Sequence, residues 1–387
     1  MKKNTQEIFL LLLKAGLWGD VKVNGYRLKV KESAIDWGEI LRLAEEQSVI
    51  GLIAAGIERF QVSGSKFQVP QEWALQFIGQ TLQIEQRNVA MSRFTEEAVE
   101  RMYKAGLYPL LVKGQGLAQC YERPLWRSVG DIDFFFAKEE FPKAVEFFTA
   151  WPGANVVQDA RYTKSFGVTI ESWFVEVHGT LRDGLSTRLD KEIDRVQEDT
   201  FKNKRVRVWQ NGETEIRLPD ADNDVFLVFT HFVRHFYKGG MSVRQLCDWC
   251  RLLFCYSEKL DLRLLESRIR RAGLMEEWQA FYALATKYLG MPDLDSSFMF
   301  NFVDSCHDSA NHASTMALAA PRVQDSRFDK KAERIMEAVL KNGGVEKNIR
   351  KAFSLFPAST LRFLPGLVFN VNWLKVKERL VHQIHKQ

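Results

Sequence analysis

Asp131 and Asp133 stand two residues apart at the head of an apolar run, Phe134, Phe135 and Phe136. Side chains alternate faces along a β-strand, so these carboxylates project together while Ile132 faces the other way. Held that close, they repel unless a cation lies between them. Mg²⁺, or Mn²⁺, meets that need, because it takes few protein carboxylates and leaves positions for phosphate oxygens. A third acid, Glu176, sits in WFVEVH, an apolar strand pattern that puts Phe174 and His178 on its own face. An acid in such a strand is costly to bury without a partner. Glu176 therefore reads as the third metal-side carboxylate, and as a catalytic candidate with Asp131 and Asp133. His178 reads as a side chain that orients Glu176 instead of binding metal itself. Glu171 and Asp183 read as surface charges.

Upstream, an apolar run from Leu110 to Val112 leads into Lys113-Gly114-Gln115-Gly116 and a short helix-like segment. Glycines there allow close backbone approach to phosphate, and a helix N-terminus favours anions. Lys113 is either a cation for the phosphates or the end of a strand. Arg127 is either a phosphate clamp or half of an ion pair that fixes its loop. Ser128 offers a further contact from that loop.

The ordered set Leu111, Lys113, Gly114, Leu117, Ala118, Tyr121, Pro124, Arg127, Asp131, Ile132 and Asp133 resembles the core of an uncharacterised bacterial nucleotidyltransferase family. That family lies within the DNA polymerase β-like superfamily. The resemblance covers residues 35–290, and its specific part is 110–136 with the Glu176 strand. It implies a Mg²⁺-dependent enzyme that moves a nucleoside monophosphate from an NTP substrate to a hydroxyl acceptor and releases pyrophosphate. It implies Lys113, Gly114, Gln115, Gly116, Arg127 and Ser128 on the nucleotide, and Asp131, Asp133 and Glu176 on the metal. It also implies that some of Arg234, Lys238, Arg244 and Asp248 line the cleft. One residue departs from the pattern: Gln115 stands where the superfamily has serine or glycine. The acceptor stays open among a small molecule, a protein side chain and RNA. Two alternatives stand beside this reading. One is a non-catalytic nucleotide-binding or interaction protein of the same fold. The other is a tRNA-modifying, toxin-like nucleotidyltransferase, which differs only in acceptor.

These residues need a scaffold, and the pattern describes an α+β chain in three parts. Residues 1–105 read as helical. Residues 106–218 read as a small mixed-sheet, polymerase-β-like core, with strands at 108–112, 131–136, 161–170, 173–177, 205–209 and 213–218 and helices at 116–121 and 138–150. Residues 219–387 read as helical, at 225–237, 242–256, 261–272, 275–289 and through much of 327–387. They end in a basic amphipathic packing helix, VNWLKVKERLVHQIHKQ. The stripe Phe226, Phe229, Phe232, Val233 and Phe236 reads as core.

The 387 residues are 46% hydrophobic with a net charge of +5. That sustains two or three compact units and lacks the strong basic excess of a dedicated nucleic-acid binder. Five cysteines form no disulfide framework, which fits a reducing cytoplasm. Cys247, Cys250 and Cys255 lack a second ligand pair and read as core residues, not zinc ligands. His231 and His235 share a helix face without a zinc-protease pattern. The apolar stretch 8–13 is short and Lys14 follows it, so it reads as an amphipathic first helix and not a leader. No apolar run approaches the roughly 20 residues that span a bilayer.

Overall fold

The computed structural model describes residues 3–19, 35–62, 69–159, 165–238, 240–292, 326–342, 349–364 and 367. Helices α1 (Lys3–Trp18), α2 (Trp37–Glu46), α3 (Ile50–Val62) and α4 (Gln71–Lys104) precede the sheet. The helical pattern of 37–60 is broken between α2 and α3, where Ser48 takes a left-handed φ of 56°. Gln47 bridges that break to distant chain: its amide donates to Val339 O and accepts from Val243 N. Asp36 caps α2 by accepting from Glu39 N at 3.0 Å.

The sheet elements follow as β1 (Leu110–Val112), α5 (Gly114–Ala118), β2 (Ile132–Phe135), α6 (Phe141–Thr149), β3 (Asn155–Gln158), β4 (Ser165–Ile170) and β5 (Trp173–His178). Next come α7 (Thr187–Lys202) and the hairpin β6 (Val206–Asn211) and β7 (Thr214–Pro219). The five-stranded sheet has the order β1-β2-β5-β4-β3, and β6 and β7 pair separately. β2 and β5 run parallel, while β1–β2, β4–β5 and β3–β4 are antiparallel. The fold is thus the mixed-sheet α+β core between helical regions that the sequence leads one to expect. Two elements were not anticipated. β3 is largely exposed along its length and carries no apolar alternation to mark it. α7 buries Leu189, Ile193, Val196 and Thr200, a helical spacing that the sequence does contain. Of the strand expected at 161–170, positions 161–164 lie outside the described residues.

The two sheet faces differ. Leu111, Ile132, Phe134, Val168, Ile170, Val175 and Val177 join one core with Met91, Phe94, Ala98, Ala144 and Phe148 of α4 and α6. The opposite face carries Leu110, Val112 and Phe135, with Phe201 of α7 packed at 4.9 Å between ring centroids. Asp133, Glu176 and His178 have the strand parity of this second face.

After the sheet come α8 (Ala221–Lys238), α9 (Val243–Cys255), α10 (Leu262–Ala272), α11 (Met275–Leu289), α12 (Ser326–Asn342) and α13 (Ile349–Leu355). Residues of α1, α2 and α3 share one hydrophobic cluster with α8 to α12, so the helices before and after the sheet pack on one another. The phenylalanines at 226, 229, 232 and 236 are fully buried in it. Cys247 and Cys250 are buried as expected, but Cys255, the last residue of α9, is exposed. The basic stretch 371–387 lies outside the described residues.

Candidate active site

The site is built where β1, β2 and β5 lie side by side. Asp133 and Glu176 are register partners on the parallel pair β2 and β5, and Val112 is opposite Asp133 on β1. Lys113, which follows β1, places its Nζ 2.9 Å from Asp133 Oδ1. His178 Nε2 reaches the same oxygen at 2.8 Å and lies 3.6 Å from Glu176 Oε2. The nearer partner of His178 is thus Asp133, not Glu176 as the sequence suggested. Glu176 is instead held by Ser165 Oγ, which donates to Oε1 at 2.5 Å from the neighbouring strand β4. Among the described residues, Asp133, Glu176 and His178 form the one group of three side chains whose ligand atoms lie within 4.8 Å of one another.

Asp131 immediately precedes β2 and is half-buried. The charge of Asp133 and then burial raise its carboxyl above the ordinary value, against the pull of Lys113. Asp133 itself is 1% exposed. Burial opposes its charge, but Lys113 and His178 outweigh burial and hold it well below the usual carboxylate range. Lys113 responds in the opposite sense: burial disfavours its ammonium, yet Asp133, Glu176 and Asp131 together raise it. Asp133, Glu176 and His178 form a donor set that could hold a divalent ion, while Asp131, expected in that set, lies outside the group whose ligand atoms converge.

Backbone strain marks the turn before α5. Lys113 has φ 59° and ψ −141°, a conformation costly for a residue with a Cβ. Gly114 follows with φ 37°. A Cβ on Gly116 would meet Leu218 Cδ2 at 2.8 Å, so this glycine lets α5 pack against β7. Gln115 is buried: it accepts from Thr95 Oγ1 and donates to Ser92 Oγ, both at 2.8 Å. Its side chain ties the turn to α4 and is not directed by any bond toward the carboxylates.

Arg127 is committed elsewhere in the same way. Its Nε and Nη2 donate to Asp248 Oδ1 and Oδ2 of α9 at 2.6 and 2.7 Å, with both side chains almost fully buried. Tyr121 Oη donates to the same Oδ1 at 2.7 Å. Asn88 of α4 holds the carbonyls of Leu125 and Arg127, and Arg244 of α9 donates to Ser128 O. The loop that delivers Asp131 is therefore stapled from two helices. Of the two roles open for Arg127, the geometry displays the ion pair.

On α8, His231, Arg234, His235 and Lys238 fall at i, i+3, i+4 and i+7 and are the non-buried positions among 225–238. The His231 and His235 Nε2 atoms are 3.1 Å apart. Burial and then the charge of Lys113 lower His231 strongly, with smaller contributions from Arg234 and His178. Burial and then Arg234 bring His235 down to about 4. Both imidazoles are neutral at pH 7. Asp183, expected as a surface charge, is buried in the loop between β5 and α7, while Glu171 is exposed. Ser165 and Asp183 had no spacing signal that could have found them.

Parallel strands that bring Asp133 and Glu176 into register beside a glycine turn are consistent with a nucleotidyltransferase core. A family model described as "Uncharacterised nucleotidyltransferase" matches residues 33–290, and the chain belongs to that family. Neither a curated protein nor a solved structure matches the chain. Membership supports nucleotidyl transfer as the general class of activity and a nucleoside triphosphate as substrate. Among the described residues no helix is long and apolar enough to cross a membrane.

Proposed function

We propose that the chain transfers a nucleoside monophosphate from an NTP to a hydroxyl-bearing acceptor in a Mg²⁺- or Mn²⁺-dependent reaction. The observation that carries this reading is the register pairing of Asp133 with Glu176 on parallel strands. When bound by Asp131, Asp133 and Glu176, the ion would neutralise the developing charge on the phosphates and the attacking oxygen. His178 holds Asp133 in place, and Ser165 holds Glu176. Lys113 keeps Asp133 neutralised before substrate binds, and its ammonium is the group that would receive the phosphates. The turn from Gly114 to Gly116 supplies backbone N–H groups, while Gln115 anchors that turn on α4. Arg127 and Ser128 act through the loop that sets Asp131. In the reaction the acceptor oxygen bonds to the α-phosphorus as the bond to the β-phosphate oxygen breaks, and pyrophosphate leaves.

One observation favours a second reading, a nucleotide binder without catalysis. Gln115 replaces the serine of the superfamily pattern, and its amide is consumed by α4. A single assay separates the two. The protein is incubated with Mg²⁺, each α-labelled NTP and cell lysate, alongside an Asp131→Asn, Asp133→Asn double variant. Transfer of label by the wild type and its loss in the variant support the enzyme. Binding without transfer supports the second reading, and transfer that survives the double substitution defeats the metal-site assignment.

A further inference from the structure

The first half of α4 turns an apolar stripe to solvent. Leu75, Ile78 and Leu82 are 63%, 36% and 48% exposed. They stand at i, i+3 and i+7, the spacing of one helix seam. Phe77, Thr81 and Asn88 take the opposite side of the helix and are buried against the protein. Gly79 lies within the stripe, and a Cβ placed on it would meet nothing within 4 Å. A lone exposed leucine is ordinary, but a seam of large apolar side chains on one helix marks a surface that another element covers.

Charge at the two ends of the stripe says what covers it. Glu72 and Arg87 are exposed, and neither enters an ion pair among the described residues. The hydrogen bonds of Arg87 go to the carbonyls of Val129 and Gly130, at 3.2 and 3.3 Å, so its charge meets no carboxylate. Glu72 and Arg87 are about four turns apart at 3.6 residues per turn, so they share one flank of the stripe. A half-turn about an axis beside Gly79 therefore sets Leu75 against Leu82 of a second copy, and Glu72 against its Arg87, each twice. A parallel arrangement would set Glu72 on Glu72 and Arg87 on Arg87, and like charges reject it. A surface that complements itself after a half-turn is the mark of an isologous pair.

We infer that the chain associates with a second copy of itself through α4, as an antiparallel helix pair centred on Gly79. The missing Cβ lets the two backbones approach where the axis passes. Leucines fill the seam on either side, and two Glu72–Arg87 pairs fix its direction and register. The shared stretch from 72 to 87 is about 24 Å long at 1.5 Å per residue. An interface of that size belongs with the small, transient ones, so the expected dissociation constant is roughly 1–50 µM.

Sedimentation equilibrium of the full chain reads the association against the monomer mass of 44.8 kDa. Wild type should pass from monomer to dimer as concentration rises, and a chain still monomeric at about 300 µM overturns the inference. Leu75→Glu with Leu82→Glu puts charge into the apolar seam and should weaken the dimer at least about 100-fold. Both positions are exposed, so the variant should melt like wild type by circular dichroism. A dimer that survives this pair of substitutions also overturns the inference. Glu72→Arg and Arg87→Glu should each weaken association about 5- to 30-fold, and the two together should restore it to within about threefold of wild type. In a parallel pair the double reversal would keep like charges together, so failure of the restoration defeats the antiparallel register. Val157→Glu, at a residue 61% exposed on the outer strand β3, should leave association unchanged. Loss there, with none at α4, would move the contact to the sheet edge and defeat the assignment.

Discussion

Lys113 Nζ sits 2.9 Å from Asp133 Oδ1, so the cation before the glycine turn occupies the carboxylate proposed to hold the metal. Residue 113 pays backbone strain to reach that position, at φ 59°. On the proposed metal site, the lysine and a divalent ion would compete for one oxygen until phosphates arrive to receive the ammonium.

That competition sets the first prediction. Lys113→Met should bind Mn²⁺ more tightly than wild type in the absence of nucleotide, by roughly 10- to 150-fold if the lost bond is worth the roughly 1.5–3 kcal/mol of one to a charged group. The same substitution should weaken ATP more than AMP, because the lost charge serves the β- and γ-phosphates. Paramagnetic titration and calorimetry measure both. Unchanged Mn²⁺ affinity would show that Lys113 does not guard the metal position.

The second prediction orders two residues of one strand face. His178→Gln keeps one hydrogen-bonding arm toward Asp133 and should lose roughly 10- to 100-fold in turnover. Glu176→Gln removes a charge from the metal site and should lose considerably more at saturating Mg²⁺. The reverse order, in equally well-folded proteins, would make His178 a direct metal ligand, a place its position within the ligand-atom group permits.

Arg127 and Asp248 supply the third. Their paired hydrogen bonds are buried, and Tyr121 leans on the same carboxylate. Either Arg127→Met or Asp248→Leu alone should cost about 3–5 kcal/mol, because each strands a charge. The double substitution should cost much less than the two together. Urea unfolding gives all three values, and simple additivity would deny that the residues act as a pair.

The fourth concerns pH and Asp183. Its folded value, about 7, lies above the unfolded value near 3.9. The folded state therefore binds the proton more tightly, and stability falls as pH rises between those values. Asp183→Asn removes this dependence, so its melting temperature should gain on wild type from pH 5 to pH 8. A constant difference across that range would mean that the carboxyl titrates normally in the fold.

Much of the site was legible in residue order alone. The acid inside WFVEVH and its shared face with His178 follow from local geometry, since a strand fixes which side chains share a face, whereas Asp131 precedes β2 and escapes the strand parity expected of it. The helical spacing of the phenylalanines in α8 announced a core in the same way. Tertiary structure decided what sequence spacing cannot encode, because partners far apart in the chain meet only through packing. It gave Asp133 to Lys113 and His178, and it placed Ser165 on Glu176 across the β4–β5 ladder. It sent Arg127 to Asp248, 121 positions away, and Gln115 to α4. It also buried Asp183, whose neighbours in sequence are those of a polar surface loop. Local chemistry set the kinds of charge present, and the fold set which of them are neutralised and which stay free to act.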